Sequence, residues 1–322
     1  MVRDVINKDF GDIFNESLKE YRLNFNLFLK SYFILFLLPL IFFLVIIIGI
    51  IYYVVTNLFA YAQYEGSGFD INSLFSITGN AINGSNVGTF LPSMFLFLFL
   101  FLFLAIIILS VFSILYYLVI FYITIYNKNG KMNFNGAFRG ARKYFWRFIG
   151  LILFIMFIFV VMFIPLIIAF MILFFIPGIG ILLIILGLIF FIGLYIYLLI
   201  SWMFSPIILI SQNKGIIESM KISYHAVKGM WWHCFGYLFL VFIIMSVVSY
   251  SVQFVLGILV RISLTGFENM DNFLTSIILI VIVYSLFIII LISISSLMYA
   301  YVIIFLKYLY LDLRNRKMMR TL

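Results

Sequence analysis

FIGLILFIMFIFVVMFIPLIIAFMILFFIPGIGILLIILGLIFFIGLYIYLLISWMFSPIILI, residues 148–210, carries no charged side chain along its whole length. A helix crosses a hydrocarbon core of about 30 Å in roughly 20 residues, so this stretch holds two crossings rather than one. Its main interruption, Pro177-Gly178-Ile179-Gly180, is too short for a domain linker and suits a tight hairpin turn between antiparallel spans. Each central Leu, Ile, Phe or Val favours insertion by about 0.3 to 0.6 kcal/mol, so each half inserts on its own merit. The stretch assigns the chain to the all-α integral membrane class.

Similar charge-free runs flank it on both sides. Together they predict six transmembrane helices near 31–56, 92–126, 148–176, 181–210, 234–260 and 274–306, with boundaries soft by several residues. Composition agrees: 66% of the 322 residues are hydrophobic, 20% aromatic and 10% charged. Soluble domains are nearer 45–50% apolar and about 25% charged. The first 30 residues mix five acidic with five basic side chains, unlike a cleaved secretory signal, so the first run is expected to stay as an anchor. Cys234 is the only cysteine, which excludes an intrachain disulfide and a cysteine-cluster metal site.

Six crossings place residues 1–30, 127–147, 211–233 and 307–322 on one side and 57–91 and 261–273 on the other. Of 20 Lys and Arg residues, 19 fall on the first side and only Arg261 on the second, so both termini are expected in the cytoplasm. None of the charged residues lies within the expected spans, whereas ion-coupled transporters, proton pumps and voltage sensors keep ionisable groups there.

Three cytoplasmic segments read as amphipathic lead-in helices. The first places Ile6, Phe10, Ile13, Phe14, Leu18, Tyr21, Phe25 and Phe28 on one stripe; the second, Phe134, Phe138, Ala141, Phe145 and Phe148; the third, Ile216, Ile217, Met220, Tyr224, Val227 and Trp231. Lys19, Arg22, Phe25 and Phe28 superpose without a gap on Arg139, Arg142, Phe145 and Phe148. Trp146–Gly150 aligns with Trp232–Gly236 once about one turn is inserted. The chain thus reads as a single polytopic membrane domain of three repeated hairpin units, about 1–126, 127–213 and 214–322. Exposed cations on these helices face anionic headgroups, so Lys19, Arg22, Arg139, Arg142, Lys143, Arg147, Lys221 and Lys228 are the candidate lipid-headgroup or partner contacts. A net charge of +9 does not point to nucleic acid, because positive-inside topology already requires it.

The run Lys214-Gly215-Ile216-Ile217-Glu218-Ser219-Met220-Lys221-Ile222-Ser223-Tyr224, followed by Val227-Lys228-Gly229-Met230-Trp231-Trp232, resembles the lead-in helix of one membrane-domain family. Asn135-Gly136-Ala137-Phe138-Arg139-Gly140 is similar to its middle lead-in helix, and Leu309-Tyr310-Leu311-Asp312-Leu313-Arg314-Asn315-Arg316 to its closing signature. This family is the membrane domain found ahead of the catalytic domain in some glycerophosphoryl diester phosphodiesterases, with stand-alone relatives of unknown function. The resemblance implies a fold and a location, not an activity. These 322 residues contain no segment for the phosphodiesterase domain, Met220 stands where a small residue is usual, and the first external loop is long.

Other polar groups are scarce. His225, His233 and Cys234 are spaced for surface and interface positions more than for a metal site, and no cofactor is expected. The loop 57–91 carries Glu65, Asp70 and the Asn83-Gly84-Ser85 sequon, and is too short for a core of its own. Ser246, Ser249 and Gln253 share a face of span five, and Ser285, Ser293 and Ser296 lie on span six. Interhelical hydrogen bonding is their ordinary use; a polar path for a small solute is the sharper one. The expectation is a non-enzymatic plasma-membrane protein that handles lipid, organises the membrane or scaffolds a membrane-protein partner. The alternative is a transporter or channel component for a neutral or amphipathic solute.

Overall fold

The computed structural model describes residues 8–46, 48–50, 87–127, 129–175, 177–267 and 273–320. Six helices are long and apolar enough to cross a membrane: Phe10–Ile50, Phe99–Tyr126, Phe145–Ile172, Gly180–Ser211, Trp231–Arg261 and Ile282–Met318. Among the described residues there is no strand. The protein is therefore a multi-pass, all-α membrane protein. Glu65, Asp70, Asn83, Glu268 and Asp271 lie outside the described residues.

In chain order the helices are α1 (Phe10–Tyr32), followed by a π-helical turn (Phe33–Leu37), then α2 (Val87–Tyr126), α3 (Phe134–Arg142), α4 (Phe145–Met162) and α5 (Ile164–Phe175). The remainder are α6 (Pro177–Trp202), α7 (Ser205–Ser211), α8 (Ile216–Val227), α9 (Trp231–Phe267) and α10 (Phe273–Arg320). Proline places several of these boundaries. Pro165, Pro177 and Pro206 sit in the first two positions of α5, α6 and α7, where a missing N–H costs nothing. Pro39 has no such start to occupy; in a regular α-helix its ring would clash with the carbonyl four residues back, at Leu35, and that residue lies within the π turn.

The hairpin expected at Pro177 is present. Phe159 meets Tyr195 with ring centroids 4.6 Å apart, Phe163 meets Phe191 at 4.4 Å, and Leu166 lies against Gly187. Each turn forward along α4 and α5 is matched by one turn back along α6, so the pairing closes midway, at residue 177. Span six differs from expectation in its end. α10 does not stop near 306 but runs to Arg320, because no breaker follows and Leu306, Leu309 and Leu313 continue one buried stripe. Its 48 residues amount to about 72 Å, more than twice the hydrocarbon thickness.

The chain divides into two compact units, Met1–Tyr32 with Leu115–Leu322, and Phe33–Ile114. In the second, Phe43 and Ala105 are buried and the rings of Phe43 and Phe101 lie 6.5 Å apart. In the first, the largest buried side chains are Phe28, Tyr116, Phe204 and Phe305, and α7 buries Ser205 and Ile207 to Ile210. These residues adjoin the basic segments, so the unit's core gathers at that end of its helices. Farther along, α4, α5 and α6 expose Phe157, Val160, Met171 and Phe190, as helices surrounded by lipid do.

α3 and α8 each precede a long apolar helix across a short break, Lys143–Tyr144 in one case and Lys228–Met230 in the other. Gly229 turns the second with φ +86°, a left-handed conformation that suits glycine. Close packing fixes other glycines. A Cβ on Gly140 would run into the Tyr122 ring and one on Gly150 would come within 2.7 Å of Ile216 Cδ1, whereas Gly236 faces open space. Gly140→Ala is expected to destabilise the detergent-purified protein by about 1–3 kcal/mol through overpacking. Gly236→Ala should leave thermal unfolding unchanged or slightly higher, since Ala is the better helix former. Equal melting shifts for the two variants would contradict this packing.

Candidate functional site

All eight cations singled out in the sequence are exposed. Lys19 and Arg22 project from α1, Arg139 and Arg142 from α3, Lys143 from the break that follows, Arg147 from the first turn of α4, Lys221 from α8 and Lys228 from its C-terminal cap. Arg147 donates to Asn213 Oδ1 at 2.9 Å. None of the eight forms a salt bridge with a described carboxylate.

The reason lies in where the carboxylates go. Glu16 accepts from Lys8 Nζ at 2.6 Å, Glu218 from Lys214 Nζ at 2.6 Å, and Asp312 from Arg316 Nε at 2.7 Å. Glu20 takes Lys307 Nζ on both oxygens at 2.7 Å, and Lys307 also donates to the Thr124 carbonyl at 2.8 Å. Glu20 and Lys307 are both buried, so this pair clasps α1, α2 and α10 at one point. Four of the six described carboxylates thus pair with Lys8, Lys214, Lys307 and Arg316, and among the described residues none pairs with the eight outward cations.

A hydrogen-bond chain leads from the clasp to the basic helices. Asn24 Nδ2 donates to the Glu20 carbonyl at 3.1 Å, and its Oδ1 accepts from Asn127 Nδ2 at 2.7 Å. Asn127 Oδ1 in turn accepts from the Met132 N–H at 3.0 Å. Asn133 then caps α3 by accepting from the Gly136 N–H at 2.9 Å, which fixes where the helix bearing Arg139 and Arg142 begins. A second network ties the chain's ends: Asp312 accepts from the Lys8 N–H at 3.2 Å, and Arg316 donates to the Lys8 carbonyl at 2.8 Å.

The faces by which the three lead-in segments dock are smaller and more polar than the apolar stripes read from sequence. α1 buries Ile13, Ser17, Glu20, Asn24, Phe28 and Ser31, while Phe25 is exposed. α3 buries Ala137 and Ala141. α8 buries Ser219, Met220, Ser223 and Val227, and Ser223 donates to the Ser201 carbonyl of α6 at 2.7 Å; Ile217 is exposed. Sequence reasoning missed the clasp, although Ser17, Glu20, Asn24 and Ser31 recur at helical spacing and form a second stripe that could have pointed to it.

The serines of spans five and six face different neighbours. Ser246, Ser249 and Ser295 line one groove, with Gln253 Nε2 donating to Ser249 Oγ at 3.1 Å. Ser293 pairs with the Tyr32 hydroxyl at 2.6 Å, and Ser296 is buried with its carbonyl accepting from Tyr116 at 3.0 Å. His225 is exposed beside Tyr224, Cys234 is buried, and His233 lies 3.6 Å from Asp312. Among the described residues no three His, Cys, Asp or Glu side chains converge as metal ligands. Compared with protein-family models, curated proteins and solved structures, the chain matches none.

Breaking a buried ion pair from one side strands the other charge at a cost of about 3–5 kcal/mol, whereas replacing both groups with apolar ones is often near neutral. Lys307→Met alone should therefore lower the thermal unfolding temperature in detergent sharply, and adding Glu20→Leu should recover most of the loss. If the double variant is no more stable than the single one, the two charges are not paired.

Proposed function

We propose that the protein is a non-enzymatic component of the plasma membrane that binds anionic lipid at the cytoplasmic face and organises lipid or a membrane-protein partner there. The observation that carries this reading is the set of eight exposed cations, Lys19, Arg22, Arg139, Arg142, Lys143, Arg147, Lys221 and Lys228, none of which pairs with a carboxylate among the described residues. A basic side chain close to an anionic leaflet contributes about 1 kcal/mol to attraction, so the set acts collectively. Trp146 and Trp232 add to the argument: they are 79% and 77% exposed, each within two residues of a helix start beside this basic set. Exposed Trp with neighbouring cations suits the membrane–water interface.

The same features support cytoplasmic termini, since 19 of the 20 Lys and Arg residues share one side of a six-span topology. They also support three lead-in helices ahead of three hairpins, with α3 before α4 and α8 before α9 as the clearer two. The one-turn insertion between those two copies is consistent with their lengths, nine residues in α3 against twelve in α8. The resemblance of the cytoplasmic motifs to the phosphodiesterase-associated membrane domain supports the same location and adds no activity.

The competing reading is a path for a neutral or amphipathic solute through spans five and six. The separation of Ser246, Ser249 and Ser295 from Ser293 and Ser296 counts against one continuous polar track.

Lipid analysis of the protein purified in mild detergent tests the lipid reading. Wild type should retain anionic phospholipid in preference to zwitterionic, and replacing Arg139, Arg142, Lys143 and Arg147 together with Gln should erase most of the preference. Indifference of the wild type to headgroup charge would refute it.

A further inference from the structure

A groove of about 590 Å³ runs between α6, α9 and α10. On α9 its wall includes Phe235, Leu238, Phe242, Met245 and Ser249, three or four apart on one helical face, and Ser246 beside them. Leu199 of α6, Met203 of the turn after it and Met298 of α10 contribute to the other sides. From Phe235 to Ser249 the wall extends about 21 Å, well over half the hydrocarbon thickness. That length suits a hydrocarbon chain rather than a compact solute.

The few polar atoms in the wall do not make a hydrated track. Ser295 Oγ donates to the Leu291 carbonyl at 2.9 Å, and Ser249 Oγ accepts from Gln253. Both are thus engaged within their own helices; Ser246 and Tyr299 are the other lining residues with a hydroxyl, and the rest of the lining is apolar.

The end of the groove near the start of α9 leads to aromatic and basic groups. Phe235 stacks on Trp231 at 5.3 Å, and Trp231 stacks on Tyr197 at 6.0 Å. Trp231 also lines a second cavity, of about 370 Å³, together with Gly229, Trp232, His233 and Arg316. Lys228, exposed and in no ion pair among the described residues, stands immediately before that cavity's first residue. Apolar length, an aromatic collar and then a cation follow one another, as in an anionic phospholipid read from chain to headgroup.

We propose that the groove between α6, α9 and α10 holds one acyl chain of an anionic phospholipid, whose headgroup lies beside Trp231, Lys228 and Arg316. This rests on the lipid-binding reading above and gives that activity a discrete site.

The test is a titration of the delipidated 322-residue protein with phosphatidylglycerol, followed by native mass spectrometry, with zwitterionic phosphatidylcholine as the comparison of zero net charge. Ser246→Trp and, separately, Ser249→Phe fill the groove from its wall. Leu186→Trp fills a different apolar cleft, between α5 and α6, and serves as the control. Each variant is first checked for monodispersity and cooperative thermal unfolding. Both groove variants should weaken the tightest phosphatidylglycerol binding by at least about tenfold, a change of ~1.4 kcal/mol, with Leu186→Trp unchanged. Lys228→Gln should lower the preference for phosphatidylglycerol over phosphatidylcholine. Folded groove variants that bind like wild type would overturn the site while leaving lipid binding intact. A wild type that binds neither lipid above the level of nonspecific adducts would remove both the site and the reading it rests on.

Discussion

The contact between Glu20 and Lys307 sets the terms for the rest of the molecule. Two charges taken out of water lose hydration worth several kcal/mol each, and they persist only where each answers the other with good geometry. Here the lysine meets both carboxylate oxygens and a carbonyl of α2, so one ammonium joins three helices distant in sequence. The adjoining Asn24–Asn127 bond carries the constraint into the turn before α3. What the inner carboxylates neutralise is fixed by this arrangement, and so is what they leave bare. The eight outward cations are what remains once the described carboxylates have paired with Lys8, Lys214, Lys307 and Arg316.

Lipid as solvent explains why polar and aromatic contacts take this part. Hydrocarbon around a span is as apolar as leucine, so apolar side chains gain little by leaving it for another helix. The first unit accordingly concentrates its core near the basic segments and relies within the spans on contacts such as Tyr32 with Ser293 and Tyr116 with the Ser296 carbonyl. Small faces on α3 and α8 let those helices approach closely, as the contact of Gly140 with Tyr122 shows.

Hydropathy made the six long helices legible, because twenty consecutive apolar residues in water have no other stable use. The turn at Pro177 was legible for a related reason: only a breaker lets so long a run double back. The docking faces were harder to read. In a soluble protein the apolar stripe of a helix turns inward, but near a bilayer two solvents compete for it, and Phe25 and Ile217 stay outside while Ser17, Ser219 and Ser223 go in. The clasp was hidden because its partners are 287 residues apart and each resembles an ordinary interfacial charge. Lys307 sits one residue past the expected end of its span, where a lysine is unremarkable until its partner is known. The eight outward cations were found because exposure at that boundary is the default for Lys and Arg.

The π turn at Phe33–Leu37 separates two jobs assigned to consecutive stretches of chain. In such a turn the backbone bonds five residues back instead of four, so the helix admits an extra residue and the regular α-helical spacing is interrupted. The register that points Ser17, Glu20, Asn24 and Ser31 inward therefore ends at this turn. Past it, the first span answers to lipid and to α2, against which Phe43 is buried with its ring 6.5 Å from that of Phe101, and its composition can drift without rotating the ion pair out of place. The turn works as a clutch between a stretch that must keep phase and one that need not.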